Sequence, residues 1–201
     1  MRFSAVKDHL SGFRVGIAGA GGLGSNCAVA LARSGIGTIV ISDFDIVEPA
    51  NLNRQYYFTS QVGEYKTKAL KENIARINPD ITVLAYTEKL GRTNIPALFA
   101  GCDVIVEAFD SDEMKVMLIE TVLAEMPGIP VIAGSGLAGW GNNDSIKFRK
   151  IDDTLYICGD ETTTAGEDLP PMAPRVGIVA SMQANTVIEI LMKKNKDYFL
   201  R

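Results

Sequence analysis

The chain has 201 residues, 47% of them hydrophobic and 22% charged, which provides enough apolar surface for the core of one domain. A net charge of −4 and a pI near 5.1 argue against nucleic acid or an anionic membrane as the main partner. The N-terminus lacks a signal-peptide core, no apolar run is of membrane length, and three cysteines do not favour a disulfide framework. We therefore expect a cytoplasmic protein with a single domain over residues 1–201.

After an N-terminal segment at 1–13, the chain alternates short apolar strands with helical segments. Strands are predicted at Arg14–Ala18 and 38–43, where runs of β-branched and apolar residues end at a turn. An apolar stripe predicts a helix at Gly22–Ser34 between them. The pattern continues with strands near 81–87, 103–109 and 130–136 and with helices at 66–78, 95–100 and 112–125. This alternation predicts a Rossmann-like α/β fold with a mostly parallel sheet flanked by helices.

The last third of the chain changes character. Residues 144–159 alternate apolar and polar positions, which predicts a C-terminal antiparallel extension of the sheet. The polar, proline-rich stretch 159–173 is predicted to be a crossover loop, either a mobile segment over a functional site or a disordered one. An amphipathic pattern at 175–195, with lysines in its last turn, predicts a closing helix.

A glycine-rich turn follows the first predicted strand. The sequence GAGGLG places Gly19, Gly21, Gly22 and Gly24 between that strand and the next helix. Glycines let backbone amides approach a phosphate, and the N-terminus of a helix attracts its charge. Asp43 ends the second strand, nineteen residues after Gly24, where its carboxylate can accept hydrogen bonds from ribose hydroxyls. These features predict nucleotide binding, and the alternative is a turn that only packs helix on strand.

The only histidine, His9, lies before the first predicted strand. An NAD enzyme most often places a histidine or lysine beside the nicotinamide, and a Ser-His-Asp triad needs its histidine in the site. The position of His9 therefore disfavours an NAD oxidoreductase and excludes the usual triad.

Polar side chains follow the second predicted strand closely. They face the phosphate end of the glycine turn, because ligands of doubly wound sheets bind at the carboxyl ends of strands. Arg54 offers a bidentate donor for phosphate, Lys66 offers a second cation, and Asp110 after the fourth strand can hold Mg²⁺. Taken singly, the cations suit a solvated surface, Asp43 and Asp45 a turn cap, and Asp110 a helix N-cap. Together these groups predict a site for a nucleoside triphosphate: Asp43, Asp45, Glu48, Asn51, Arg54, Gln55, Lys66 and Asp110.

Five segments of the sequence resemble those of one known family. They lie in the family's order between about Arg14 and Lys194, and they read GAGGLGS, DFDIVEPANLNRQYYF, GEYKTKALKENIARINPD, EAFDS and VGIVASMQANTVIEIL. The family is ThiF/MoeB/HesA, bacterial relatives of the ubiquitin-activating enzymes, and the resemblance is greatest to a short ThiF-type protein of thiamine biosynthesis. The D-x-D-x-V and N-L-x-R-Q arrangement is far more specific than the glycines.

The resemblance implies ATP-dependent adenylation of the C-terminal Gly-Gly carboxylate of a ThiS-like, ubiquitin-fold sulfur carrier, with release of pyrophosphate. Asp43 would bind the ribose of ATP, and Asp110 would position Mg²⁺ and the attacked α-phosphate. Catalysis would rest on Arg54, Lys66 and Asp110. The implied phosphate contacts are Asn51, Arg54, Gln55 and Lys66. Members of the family are usually homodimers, and we expect the same here.

The sequence departs from this family at the zinc pairs, at the crossover-loop cysteine and at the N-terminus. Relatives often supply an N-terminal arginine to a partner subunit's active site, whereas only Arg2 and Arg14 are available here, and Arg14 starts the first predicted strand. Relatives commonly carry two C-x-x-C zinc pairs, whereas only Cys158 stands at the first of them, so no structural zinc is expected. Sulfur-transferring relatives have a cysteine in the crossover loop near the position of Thr162, and Cys158 either substitutes for it or is a buried structural thiol.

The glycine-rich stretch around Trp140 is either the rim of a channel for an extended tail or a loop with a packed tryptophan. Two functions stay open beside carrier adenylation: adenylation of a small-molecule or tRNA-bound carboxylate, and a non-catalytic scaffold that retains the nucleotide site.

Overall fold

The computed structural model describes residues 2–194, which form a seven-stranded sheet between two layers of helices. The strands are β1 (Arg14–Ala18), β2 (Thr38–Ser42), β3 (Thr82–Tyr86), β4 (Val104–Glu107), β5 (Val131–Gly134), β6 (Lys147–Lys150) and β7 (Leu155–Gly159). Their order across the sheet is β3-β2-β1-β4-β5-β7-β6, and every neighbouring pair is parallel except β6 and β7. The predicted Rossmann-like α/β fold with a mostly parallel sheet is confirmed.

The central strand β1 has β2 on one side and β4 on the other. The chain therefore builds outward from β1 through β2 to β3, and then returns to the other side of β1 with β4. In open α/β sheets, ligands bind at such a switch point, outside the carboxyl ends of the strands. The segments that leave β1, β2 and β4 meet at this edge of the sheet.

In the described part of the chain, six α-helices cover the sheet: α1 (Phe3–Leu10), α2 (Gly22–Ser34), α3 (Lys66–Ile77), α4 (Ile95–Leu98), α5 (Asp112–Glu125) and α6 (Ala173–Lys193). The sequence predicts α2 and α5 with these bounds and the starts of α3, α4 and α6 within two residues; position 195, the predicted end of α6, lies outside the described residues. The helix α1 has no counterpart in the prediction, because eight residues with few apolar positions give a weak pattern. Its last residue, Leu10, is fully buried. Over residues 2–194, no helix has the length and apolar character needed to cross a membrane.

The helix α6 packs along α2 on one face of the sheet. The side chains that it buries against the core are Val176, Val179, Ala180, Gln183, Ala184, Val187 and Leu191. On the other side of α6, Ile178 and Ser181 remain exposed. The sequence leaves open whether this apolar helix serves the core or an interface, and the structure assigns one face of it to the core.

The predicted C-terminal antiparallel extension is present, but only one of its strands is antiparallel. Strand β7 runs parallel to β5 and continues the main sheet, and β6 runs back along β7 at the edge. The alternation of apolar and polar residues indicates that one face of a strand is exposed, but it does not indicate the direction of the neighbouring strands.

Two helical glycines lead to opposite predictions for stability. At Gly24 in α2, a Cβ atom would lie 1.9 Å from the carbonyl oxygen of Gly19, whereas at Gly177 in α6 it would meet nothing within 4 Å. We expect Gly24→Ala to lower the free energy of unfolding by about 2 kcal/mol or more, because the turn has to open. Gly177→Ala should raise it by about 0.5–1 kcal/mol, because alanine is the better helix former. Urea unfolding measures both changes, and a Gly24→Ala variant as stable as the wild type would contradict the narrow turn.

Candidate functional site

The turn between β1 and α2 is too narrow for side chains. Gly19 has a φ of +99°, and a Cβ there would lie 2.9 Å from the carbonyl oxygen of Ala108. The helix α2 starts after Gly21 without a side-chain cap, so its first N–H groups stay available to an anion. Gly19 and Gly24 are thus required for close packing, while Gly21 and Gly22 lie where α2 begins. The packing role and the phosphate-binding role are compatible in this turn.

Asp43 follows β2 and joins two backbone segments. Its Oδ2 accepts a hydrogen bond from the Ala20 N–H at 2.6 Å, and its Oδ1 accepts one from the Asp45 N–H at 2.8 Å. Burial raises the pKa of the Asp43 carboxyl, and the two N–H groups and nearby Lys66 oppose that shift. The carboxylate therefore caps a turn, as one interpretation of the sequence has it, and at the same time holds the glycine turn. Its contact with a ribose stays a prediction.

Lys66 is a buried cation at the first position of α3. The residue is 6% exposed, and its Nζ donates to Asp45 Oδ2 at 2.7 Å. Its backbone N–H also donates to the carbonyl oxygen of Asp45 at 2.9 Å. The interpretation of Lys66 as a solvated surface lysine is therefore wrong. Since Lys66 also interacts electrostatically with Asp43, the two lie in the same part of the site.

The segment after β2 brings two predicted residues, Arg54 and Gln55, to the start of α2. The Arg54 stem lies 3.7 Å from the Cβ position of Gly22, and its Nη1 donates to Asn53 Oδ1 at 2.7 Å. Asn51 closes a short 3₁₀ turn, in which its Oδ1 accepts from the Glu48 N–H. Gln55 is 9% exposed, and its Nε2 lies 3.8 Å from the Cβ position of Gly21. Its buried Oε1 has no hydrogen-bond partner among residues 2–194. A buried amide oxygen without a donor is costly, and because phosphate oxygens are acceptors too, only the Nε2 of Gln55 can donate to a phosphate.

Asn26 fixes this segment to α2, and sequence reasoning missed it. Its Nδ2 donates to the carbonyl oxygen of Arg54 at 2.9 Å and to that of Gly22 at 2.7 Å. Asparagine is a poor helix former, so its presence inside a predicted helix is the signal that was available.

The turn after β4 carries one free carboxylate and one buried one. Asp110 is exposed, and its side chain has no hydrogen bond or ion pair with any of residues 2–194. The N-cap of α5 is Ser111, whose Oγ accepts from the Met114 N–H, so the interpretation of Asp110 as the N-cap is wrong. Glu107 at the end of β4 is 0% exposed and pairs with Lys115 at 2.5 Å. Burial raises the pKa of the Glu107 carboxyl, and Lys115 opposes that shift.

Within residues 2–194, no group of three or more His, Cys, Asp or Glu side chains comes together as a metal site. Mg²⁺ is commonly held by one or two carboxylates together with substrate phosphates. Asp110 fits that requirement, because its carboxylate has no ion-pair partner in the described range 2–194 and lies beside the glycine turn. The ring of its neighbour Phe109 lies 3.5 Å from the Cβ position of Gly19. The absence of a structural zinc stays a prediction.

A family model described as the ThiF family matches residues 3–201. The chain belongs to the ThiF family. The adenylyltransferase and sulfurtransferase UBA4 of Saccharomyces cerevisiae is 31% identical over 195 residues, which are 94% of this chain and 44% of UBA4. The molybdopterin-synthase adenylyltransferase of Salmonella typhimurium is 29% identical over 191 residues, which are 92% of this chain and 75% of that protein. The resemblance seen in the sequence is confirmed, and the chain spans less than half the length of UBA4.

Among solved structures, the tRNA N6-threonylcarbamoyladenosine dehydratase TcdA of E. coli, in complex with ATP, matches with a TM-score of 0.84. The match has 21% sequence identity and covers 94% of this chain and 89% of that one. At this identity, the match establishes that the ThiF-family chain and TcdA share a fold.

The crossover loop of this ThiF-family chain is anchored by a buried ion pair that sequence reasoning missed. Arg175 in α6 donates to Asp160 Oδ2 at 2.5 Å, and the two side chains are 4% and 2% exposed. Arg175 also donates to the carbonyl oxygen of Gly141 at 2.6 Å. Although burial would raise it, the pKa of the Asp160 carboxyl is lowered, because Thr162 and Thr163 donate hydrogen bonds to it. The start of the loop is therefore held against α6 and against the loop that follows β5.

Two side chains that the sequence leaves ambiguous are resolved by their burial. Cys158 in β7 is fully buried, and burial raises the pKa of its thiol to about 11, so it is a structural thiol and not a reactive one. Trp140 is 69% exposed, so its interpretation as a packed tryptophan is wrong. Its neighbour Gly139 donates to the carbonyl oxygen of Pro170, which ties the two loops together.

The Asp160–Arg175 pair leads to a prediction about pH. Because the pKa of Asp160 is lowered in the fold, its contribution to stability is present above its ordinary pKa of 3.8 and is lost as the pH falls below it. We expect Asp160→Asn to lower the free energy of unfolding by about 3 kcal/mol at pH 7, since Arg175 is left buried without a counter-ion.

The loss in Asp160→Asn should shrink between pH 5 and pH 3 in urea unfolding, measured relative to the wild type. Asp153→Asn is the matched control, because Asp153 pairs with Lys150 but its side chain is 92% exposed. We expect a change of less than about 0.5 kcal/mol in that variant. A loss in Asp160→Asn that does not depend on pH would contradict the role of the carboxylate.

Proposed function

We propose that this protein is an ATP-dependent adenylyltransferase acting on the C-terminal Gly-Gly carboxylate of a ThiS-like sulfur carrier in thiamine biosynthesis. The observation that carries the proposal is the arrangement at the switch point of the sheet. There the glycine turn, Arg54, buried Lys66 and unpaired Asp110 stand at the ends of three neighbouring strands. Membership of the ThiF family and the curated adenylyltransferases that resemble the chain support the same activity.

The proposed reaction joins a carboxylate oxygen to the α-phosphorus of ATP and breaks the bond from that phosphorus to the β-phosphate oxygen. The products are an acyl-adenylate and pyrophosphate. Both reactants are anions, so the protein must offset charge and hold them in line. No covalent residue is required for this step, which agrees with three buried cysteines and a histidine far from the site in sequence.

Each predicted residue has a task in this reaction. Asp43 orients the nucleotide through its ribose hydroxyls, and the first N–H groups of α2 receive a phosphate. Arg54, Asn51 and Gln55 bind phosphate oxygens from the other side. Lys66 turns from its ion pair with Asp45 toward the triphosphate, since a more highly charged partner is then available. When bound, Mg²⁺ would neutralise phosphate charge, and Asp110 would hold it.

Substitution of the two cations tests this assignment. With a Gly-Gly-tailed carrier, we expect Arg54→Ala and Lys66→Met each to lower the rate of ATP–pyrophosphate exchange by about 100-fold or more, because each removes a fixed positive charge from the transferred phosphate. Arg76→Ala and Lys71→Met are the matched controls, because both side chains are exposed on α3. Their exchange rates should equal that of the wild type. The absence of exchange in the wild type with every carrier from the same organism would refute the proposal.

Two other functions remain as candidates. The fold match to TcdA, a tRNA N6-threonylcarbamoyladenosine dehydratase, supports a second acceptor class, a small-molecule or tRNA-bound carboxylate. Exchange that does not need a carrier protein would support that candidate. A non-catalytic scaffold is the third possibility, and an Arg54→Ala protein that still supports the pathway in cells would favour it.

A single domain over residues 1–201, a cytoplasmic location and the lack of nucleic-acid and membrane partners also remain predictions.

We further propose that the protein is a homodimer that pairs through the outer face of α6. An apolar groove of about 550 Å³ lies there, and a symmetric pair of helices would cover it in both copies. It has no ionisable side chain among its lining residues, so a copy of itself meets no charge repulsion. The lining residues are Pro174, Gly177, Ile178, Ser181, Met182 and Asn185.

A charge in this groove should separate the two copies. We expect Ile178→Lys to convert the dimer to a monomer at micromolar concentration, because a lysine would be buried opposite its own symmetry mate. Light scattering after size-exclusion chromatography measures the mass. Val116→Lys, on an exposed position of α5, is the control and should stay dimeric. A monomeric wild type would contradict the proposal.

A further inference from the structure

Glu107 ends the otherwise apolar strand β4, and both its side chain and its backbone carbonyl form hydrogen bonds. Its Oε2 accepts a hydrogen bond from Lys115 Nζ at 2.5 Å, and its Oε1 accepts one from the Phe109 N–H at 2.7 Å. Its backbone carbonyl oxygen accepts a hydrogen bond from Gln183 Nε2 at 2.8 Å. The residue is 0% exposed, and Lys115 is mostly buried.

Lys115 extends this arrangement to the next strand. Its Nζ also donates to the carbonyl oxygen of Gly134, the last residue of β5, at 2.7 Å. One cation on α5 therefore joins the carboxyl end of β4 to that of β5. Gln183 of α6 makes a similar connection, because its Nε2 reaches the carbonyl oxygens of Glu107 and Ile132.

A buried ion pair is weak evidence for stability, because removal of two charges from water offsets most of their attraction. An apolar pair of similar volume would fill the same space at lower cost. What it would not supply is the acceptor for the Phe109 N–H and the donor for the Gly134 carbonyl oxygen. The pair therefore fixes the geometry of the chain between β4 and α5 more than it adds stability.

The turn that the pair fixes carries two parts of the proposed site. Ala108 supplies the carbonyl oxygen against which Gly19 packs, and Phe109 lies beside the same glycine. Asp110 follows directly, and its side chain has no hydrogen bond or ion pair within residues 2–194. The position of its carboxylate therefore depends on the backbone of the turn, which Glu107 holds at the Phe109 N–H and the Ala18 carbonyl oxygen holds at the Ala108 N–H.

We propose that Glu107 and Lys115 form a positioning pair, which holds the 107–110 turn so that Asp110 meets the phosphates bound at the glycine turn. This inference rests on the proposed nucleotide-transfer function. The pair does not touch the substrate, and it acts through the amide of Phe109 and the carbonyl of Gly134. Lys115 lies outside the GAGGLG and NLNRQ motifs, so neither motif identifies it as part of the site.

The test compares four variants in ATP–pyrophosphate exchange and in hydrogen–deuterium exchange of the peptide that contains residues 107–111. We expect Lys115→Met to lower kcat by about 30-fold while the KM for ATP changes by less than about threefold, because a small displacement of a reacting group costs rate before it costs binding. Its 107–111 amides should exchange faster than those of the wild type. Lys115→Arg should restore both properties, because it keeps the charge and the two donors.

The double variant Glu107→Leu/Lys115→Met separates positioning from stability, since it leaves no unpaired buried charge but removes both the acceptor for the Phe109 N–H and the donor to the Gly134 carbonyl oxygen. It should unfold near the wild-type temperature and still show the low kcat and the fast amide exchange of the turn. Glu120→Gln is the matched control, because Glu120 lies on the same helix and pairs with Arg92 at 2.5 Å, but its side chain is 56% exposed. It should behave as the wild type in both assays.

Recovery of kcat in the double variant, or unchanged amide exchange in Lys115→Met, would overturn the positioning role. Failure of the proposed function gives a different result: the wild type itself would show no exchange of pyrophosphate, while the amide exchange still reports on the turn. In that case, hydrogen–deuterium exchange of the 107–111 peptide is compared with and without ATP and Mg²⁺. The wild type should gain protection in the 107–111 peptide when they are added, and an equal gain in Lys115→Met would refute the inference.

Discussion

Three backbone segments approach one another at the switch point so closely that no side chain fits between them. A Cβ atom on Gly24, at the start of α2, would lie 1.9 Å from the carbonyl oxygen of Gly19. A Cβ atom on Gly19 would lie 2.9 Å from the carbonyl oxygen of Ala108, after β4. Because these contacts are between main-chain atoms, a shift in one turn must displace the other. The open N-terminus of α2 and the carboxylate of Asp110 are carried on these two turns. Their relative position, and with it any use of the site, depends on this contact.

Charge compensation is the second requirement of the same region. Lys66 is buried against Asp45, and Glu107 is buried against Lys115, so each charge that leaves water has a partner at hydrogen-bonding distance. An unpaired charge at these depths would cost several kcal/mol. The two pairs differ in what surrounds them. The Asp45 side chain is 48% exposed and can release its lysine to a phosphate, whereas the Glu107 pair has little contact with solvent and is suited to a fixed role.

Local pattern predicted much of the fold and part of the site. The apolar stripes of α2 and α5 gave their bounds, and the grouping of Arg54 and Lys66 with the glycine turn followed from the rule that strand ends meet at one edge. The N-terminal helix α1 was missed, because eight residues held by tertiary packing leave little pattern. Asp160 and Arg175 were missed for another reason. They are fifteen positions apart in polar sequence, and only the path of the crossover loop brings them together.

The sequence by itself determined the α/β alternation, the family and the chemical types of the site residues, since periodicity, glycine spacing and motif order are local properties of the chain. The tertiary structure decided how those residues are partnered. It made Lys66 a buried cation, enclosed Cys158 and placed Lys115 between the ends of two strands. It also left Asp110 without an ion pair in the part of the chain that the structure describes. Burial and ion pairing depend on which segments pack against each other. The spacing of residues along the chain does not show which segments pack together, so these features follow only from the tertiary structure.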